Sequence, residues 1–449
     1  MQLKENKNYL FTNKDLYKLI IPLIIEQLLS IAVGMADSMM VASVGEAAVS
    51  AVSLVDSVIV LLVNVFAALA TGGAVVAGQY IGRKKEEEAC ETADQIILFT
   101  GLLSIAIMLL MYIGKNFILN NIFGAIDADV KAYAETYLMI VSLSIPFIAL
   151  YNGGAALFRT MGNSKITMIT SLVMNIINIV GNAVLIYGLK IGIAGAAIPT
   201  LISRTTAAVI IIILLKNQNL MVHLTRPFKF HFKKRMIKKI LHIGIPNGLE
   251  NSMFQLGKIL LLSLVASFGT ASIAANAVSN TVAMFQILPG LSIGLAVLTI
   301  VSRCIGAGDY KQARHYTRKL LSITYISMIA VNILLMAALP LIVKIYNLTD
   351  VTAQITMKIL IYHGFACTIL WPAAFTLPNT LRAANDVRFS MFISIASMWI
   401  WRIGFAFILG KYLNLGVFGV WVAMTIDWLF RVVAFVVRYR SKKWENLRI

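Results

Sequence analysis

This chain of 449 residues carries twenty acids, and most of them sit in short polar stretches. Glu26, Asp37, Asp56, Glu250 and Asp427 do not; each falls inside an apolar run long enough to form a helix across a bilayer. A charge at the bilayer centre costs roughly 2.5–3.5 kcal/mol on the insertion scale, so such a group needs a function or a partner. A buried carboxylate without a fixed cation favours its protonated form and can take up a proton. With further oxygen ligands around it, the same group can bind Na⁺ and release it when a cationic substrate arrives.

The stretch PLIIEQLLSIAVGMAD, residues 22–37, holds two of these acids. Glu26 and Asp37 are eleven residues apart, almost three helical turns, so they share one side of a helix at different depths. In VMNIINIVGNAVLIYG (173–188), Asn178 and Asn182 are four apart and share a face, offering the hard carbonyl oxygens that small cations prefer. Glu250 follows Pro246 by four residues, as Glu26 follows Pro22, and Lys258 two turns further on is expected to be a counter-ion for one of these acids. Arg431 follows Asp427 by four, the spacing of an ion pair within one helix. Asp56 lies near the outer end of its helix, within reach of water, while Arg204 and Arg402 are embedded cations.

The elements that must hold these residues are membrane helices. Hydrophobic residues make up 59% of the chain, only 13% are charged, and the mean hydropathy is +0.82. Soluble domains carry about 25% charged residues, so the composition is that of an all-α integral membrane protein. Apolar runs and basic loops place twelve helices, at 15–43, 50–81, 91–114, 129–156, 165–188 and 192–216, then 236–268, 272–303, 313–343, 352–378, 387–410 and 415–438. Sliding the chain on itself by 224 residues reveals a tandem duplication. VASVG (41–45) meets VASFG (265–269), Pro22 meets Pro246, Glu26 meets Glu250, Gly192 meets Gly416 and Gly195 meets Gly419. With one residue of slip, RTMGNSK (159–165) meets RAANDVR (382–388). Asp37 has no such partner, because the matching position is Leu261.

Each copy holds an even number of helices, so the two run parallel around a central cleft suited to alternating access. The expected division is a six-helix lobe at 1–216, a basic linker at 217–235 and a second six-helix lobe at 236–449. The net charge of +19 is concentrated in alternate loops, with eight Lys/Arg and no acid between Lys216 and Lys239. That distribution is the positive-inside pattern rather than a nucleic-acid surface, and it places both termini and the linker in the cytoplasm of a multi-pass protein. The N-terminal MQLKENKNYLFTNKD lacks the apolar core of a cleavable signal. Cys90, Cys304 and Cys367 have no metal-ligand spacing, and no phosphate-cradling glycine loop or paired Cys/His set is present. Enzyme chemistry and a nucleotide motor are therefore not expected, which leaves an ion gradient as the energy source and no cofactor beyond H⁺ or Na⁺.

The ordered set of motifs resembles the multidrug and toxic compound extrusion (MATE) family of secondary antiporters over almost the whole chain. It comprises Pro22 with Asp37-Ser-Met-Met-Val in helix 1, Gln79-Tyr-Ile-Gly82-Arg ending helix 2, and Arg159…Gly162-Asn-Ser-Lys before helix 5. Asn178…Asn182…Gly188 followed by GIAGAAIPT (192–200) completes the first copy, and GIP (244–246) with RAANDVR repeats it more weakly. The resemblance implies export of organic cations and amphipathic drugs across the inner (cytoplasmic) membrane in exchange for H⁺ or Na⁺, by a protein expected to act as a monomer. It carries a cation-coupling site onto Asp37, Asn178, Asn182 and Thr200, with Na⁺ at Asp37, Asn178 and Asn182 if sodium is the ion. Position 182 is Asp in DinF-like members and Asn here. NorM-like members carry a helix 7 Glu about eight residues after the proline; here Phe254-Gln255 stands there, and TILWPAAFTLPN (368–379) in helix 10 has no acid. Coupling is thus expected in the first lobe, with Glu26, Glu250, Gln255 and Lys258 lining the substrate cleft and the two glutamates facing each other. A lipid-linked precursor flippase of related repeats would carry a cation-lined cleft, and the acids of helices 1 and 7 favour cationic cargo instead. The major facilitator group requires an Asp ahead of its helix 2–3 signature, which GRKKEEEA (82–89) lacks.

Overall fold

The computed structural model describes residues 9–124, 126–225 and 231–447, which are helical with no strand among them. The first copy contains α1 (Asn13–Ala42), α2 (Glu46–Gly82), α3 (Glu86–Ile113), α4 (Ala128–Leu143 with Ile145–Thr160), α5 (Ser164–Gly188) and α6 (Ala194–Leu215). The second contains α7 (Lys234–Ala266), α8 (Thr270–Gly306), α9 (Tyr310–Ile345), α10 (Asp350–Ala383), α11 (Val387–Tyr412) and α12 (Gly416–Arg440). Eleven are long and apolar enough to cross a bilayer alone, and the two parts of α4 make a twelfth span bent by 44°. The bend sits at Ser144, just before Pro146, whose missing N–H leaves the helical ladder incomplete. Every expected helix is present, with ends within five residues of those read from the sequence.

The chain condenses into two compact units, Asn13–Gly248 and Leu249–Ile449, the second including the segment up to Thr12. The division falls inside α7, between Gly248 and Leu249. Close backbone packing explains why the first half of α7 stays with the N-terminal unit. A Cβ on Gly72 of α2 would lie 2.4 Å from the Ile240 carbonyl and 3.0 Å from the Gly244 nitrogen, so only glycine permits this approach. Part of the expected linker also belongs here. Thr225 donates through its backbone nitrogen to Asp94 Oδ1 (3.0 Å), and Gln95 Nε2 donates to the His231 carbonyl (2.8 Å); residues 226–230 of the linker lie outside the described residues. In the C-terminal unit, Leu10 N donates to Gln312 Oε1 (2.8 Å), and Phe11 N donates to the Tyr316 hydroxyl (2.9 Å) on α9. The expected cytoplasmic tails at 1–8 and 448–449 lie outside the described residues.

The duplication is written in the backbone. Gly45 and Gly269, 224 apart, both take positive φ (+133° and +92°) at the starts of α2 and α8, which are each 37 residues long. Lys84 and Gly308 repeat the pattern (+58° and +74°), as do Lys190 and Asn414 (+53° and +55°). Gly162 and Asn385 are also left-handed, but 223 apart. The register therefore gains one residue between Asn385 and Asn414. There α11 has 26 residues against 25 in α5, and it contains an additional π-helical stretch, Ser397–Ile403. A π turn is how a helix absorbs one inserted residue without breaking, and such turns recur at functional sites.

Candidate cation site and the family of the chain

In the N-terminal unit, α1 packs against α5 and α5 against α6. Asp37 lies in the last turns of α1, Asn178 and Asn182 on the facing side of α5, and Thr200 two turns into α6. The four come together. Asn182 Nδ2 donates to Asp37 Oδ1 at 2.7 Å, and Asn178 lies 3.1 Å from the Thr200 hydroxyl. Both asparagines are buried while Asp37 and Thr200 are half-buried, so the cluster is shielded on the helix side and open on the other.

The Asn178 amide has two orientations of different chemical meaning. With its nitrogen toward Asp37 it donates to Oδ1 at 2.6 Å and Oδ2 at 3.2 Å, and its carbonyl accepts from Thr200 at 3.1 Å. Turned over, its nitrogen donates to Thr200 and its carbonyl faces the carboxylate. Two acceptors in contact repel, so the second state needs a proton or cation between them. Asn182 Oδ1 adds a buried oxygen with no hydrogen-bond partner. The donor set is thus all oxygen, with one formal charge, and fits H⁺ or Na⁺ rather than a soft metal.

Around this cluster, Asp56 of α2 accepts from the Tyr137 hydroxyl (3.3 Å), and Arg204 Nη1 of α6 donates to Ser144 Oγ (2.8 Å) at the bend of α4. Tyr137 and Ser144 were missed in the sequence, where an isolated tyrosine or serine in an apolar run carries no signal.

Glu26 and Glu250 have a different setting from the one expected of them. Glu26 is buried, accepts from Thr167 Oγ1 (2.7 Å) and lies 3.6 Å from Arg159. Glu250 is buried and bound by Arg382 at 2.6 Å. The two arginines are themselves repeat partners at the slipped offset, so each unit holds one copy of the same ion pair. The arginine sits three helices away in sequence, and this pairing was legible only as the RTMGNSK and RAANDVR coincidence. Lys258 is not a counter-ion either; none of the ion pairs among the described residues includes it, and its ammonium lies 5.2 Å from the Phe254 ring centroid. Gln255 is half-buried beside it. Asp427 pairs with Arg431 as the spacing predicted, at 2.8 Å, with Arg402 at 3.9 Å on its other oxygen.

The MatE family model matches residues 22–184 and again residues 246–408. This chain belongs to the MatE family. The two matches begin and end 224 residues apart, the offset read from the sequence. The chain is 28% identical over 442 residues to an uncharacterized transporter, YisQ of Bacillus subtilis (strain 168), covering 96% of this chain and 94% of that one. It is 25% identical over 453 residues to a probable multidrug resistance protein, NorM of Thermotoga maritima, covering 96% and 93%. In fold it is similar to a multidrug resistance MATE family transporter solved in an outward-facing conformation, with a TM-score of 0.90, 21% identity and 97% of each chain covered. MATE proteins are multi-pass membrane transporters that move small molecules, and the chain is an efflux transporter of this family.

Proposed function

We propose that this MATE transporter is a secondary antiporter that exports organic cations and amphipathic drugs across the cytoplasmic membrane in exchange for H⁺ or Na⁺. The observation that carries the proposal is the convergence of Asp37, Asn178, Asn182 and Thr200 from three helices on one half-buried carboxylate. In this reading Asp37 holds the ion, Asn178 and Asn182 supply amide oxygens, and Thr200 sets the Asn178 amide. Ion entry turns the Asn178 carbonyl inward and cancels the charge on Asp37; ion loss turns the amide nitrogen back. The chemistry on α1 thus has two discrete states with different bonds to α5, which is what coupling requires. Loops rich in Lys and Arg support cytoplasmic termini, and in this reading all four residues of the ion site come from one chain, which supports a monomer.

The test is ethidium transport in proteoliposomes under separately imposed Na⁺ and pH gradients. Antiport predicts uphill dye movement with at least one gradient and none with both absent. Dye movement that only dissipates its own gradient would reject the antiport reading.

A further inference from the structure

We infer that the C-terminal unit carries a recognition site for an anionic group, a carboxylate, sulfonate or phosphate, on an amphipathic cargo. The cluster is built around one aromatic ring. Lys258 Nζ lies 5.2 Å, Arg402 Cζ 5.3 Å and Arg431 Cζ 5.8 Å from the centroid of Phe254. The one carboxylate paired with any of the three, Asp427, is committed to Arg431 at 2.8 Å and to Ser397 Oγ, and it forms no ion pair with Lys258. Three cations against one carboxylate leave two positive charges in membrane-spanning helices, an arrangement that an arriving anion relieves.

The donors are prepared for it. Arg431 is fixed by the Ser394 carbonyl (3.0 Å) as well as by Asp427. Arg402 reaches Asp427 only at 3.9 Å, and its buried Nε has no hydrogen-bond partner. Lys258 is exposed, and it continues a polar stripe along α7 through Asn251 and Gln255 at helical spacing. A polar stripe ending in a lysine marks a wet helix face, since the same residues against lipid would each be costly.

The repeat supplies an independent argument. At the 224 offset the coupling residues Asp37 and Asn178 correspond to Leu261 and Arg402, while Lys258 stands in place of Gly34. One copy of the fold places a carboxylate and an amide at these positions; the other places a leucine and a guanidinium, with an ammonium one turn away. Arg402 lies within the additional π turn of α11, Ser397–Ile403, so the inserted residue and the reversed polarity occur together. The duplicated site has diverged from cation binding to anion binding.

That the anionic molecule is transported cargo rests on the proposed transport function, and the test separates the two. Dansylglycine and dansylglycinamide differ only in carrying a carboxylate or a neutral amide. In nanodiscs holding the full chain, fluorescence titration is expected to show dansylglycine binding about tenfold or more tighter than the amide, the scale of a charged hydrogen bond. Lys258→Gln should bring the ratio close to one, and Lys258→Arg should restore most of it. Arg402→Lys should lower it several-fold, while Thr206→Ala, in the other unit, should leave it unchanged. A wild-type ratio near one, or a ratio untouched by Lys258→Gln in protein with wild-type thermal unfolding, overturns the inference. Ethidium antiport in the same preparation reports on the transport reading alone, so either can fail without the other.

Discussion

Glu250→Gln tests what the ion pairs are for. Arg382 Nη2 sits 2.6 Å from Glu250 Oε1, with the two side chains only 14% and 10% exposed. Removing the carboxylate leaves the guanidinium with one neutral bond, Nη1 to Asn379 Oδ1 at 2.9 Å. An uncompensated buried charge costs about 3–5 kcal/mol, and Gln returns part of that by accepting one hydrogen bond. We therefore expect Glu250→Gln to lose about 3 kcal/mol and Arg382→Gln a similar amount. The double variant buries no charge, so it should lose about 3 kcal/mol as well, giving a coupling energy near 3 kcal/mol. Equilibrium unfolding in mixed micelles supplies the four values. The Glu26–Arg159 cycle should give a smaller coupling, because their separation is 3.6 Å and Thr167 also holds Glu26. Additive losses at Glu250 and Arg382 would refute the pairing. An altered preference between cationic and neutral dyes without loss of stability would restore Glu250 as a cargo residue.

Gly72→Ala should cost about 1–3 kcal/mol, since its Cβ would meet the α7 backbone. Gly34→Ala, whose Cβ would meet nothing within 4 Å, should be neutral or stabilising by up to about 1 kcal/mol, and the same unfolding assay reads both. Tyr316→Phe removes a hydroxyl that accepts from Phe11 N and donates to the Phe11 carbonyl (2.7 Å), so amide exchange across residues 9–12 should accelerate roughly tenfold with the helices unaffected. Asn182→Ala deprives Asp37 of a 2.7 Å donor and should raise the half-saturating coupling-ion concentration about tenfold or more in dye-transport assays.

Much of this molecule was legible before its structure because a membrane leaves few choices. Helix number, helix ends and the duplication follow from apolar length, basic loops and a single offset. Spacing showed that Asn178 and Asn182 share a face and that Asp37 is an intramembrane acid; their grouping into one site was implied by the family resemblance. Thr200 was named only through resemblance, since a threonine in GIAGAAIPT has no period to mark it. Partners contributed by distant helices were not legible. Glu26 and Glu250 looked like free acids, and the arginines that bind them belong to segments read as cytoplasmic loops. The one-residue slip at RAANDVR was visible, but not where the offset returns to 224: that happens after Asn385, where α11 holds an additional π turn, and a 3.6-residue pattern cannot show where a helix locally changes its pitch. The division within α7 escaped notice for a related reason, because close backbone packing of Gly72 leaves no mark on hydropathy.

The most direct test of the central claim is Asp37→Asn in proteoliposomes at matched protein content. The side chain keeps its size and its contact with Asn182 but has no charge for an ion to cancel. The account predicts loss of uphill ethidium transport by about a hundredfold or more under both Na⁺ and pH gradients, with dye binding retained. Uphill transport at close to the wild-type rate in Asp37→Asn would contradict it.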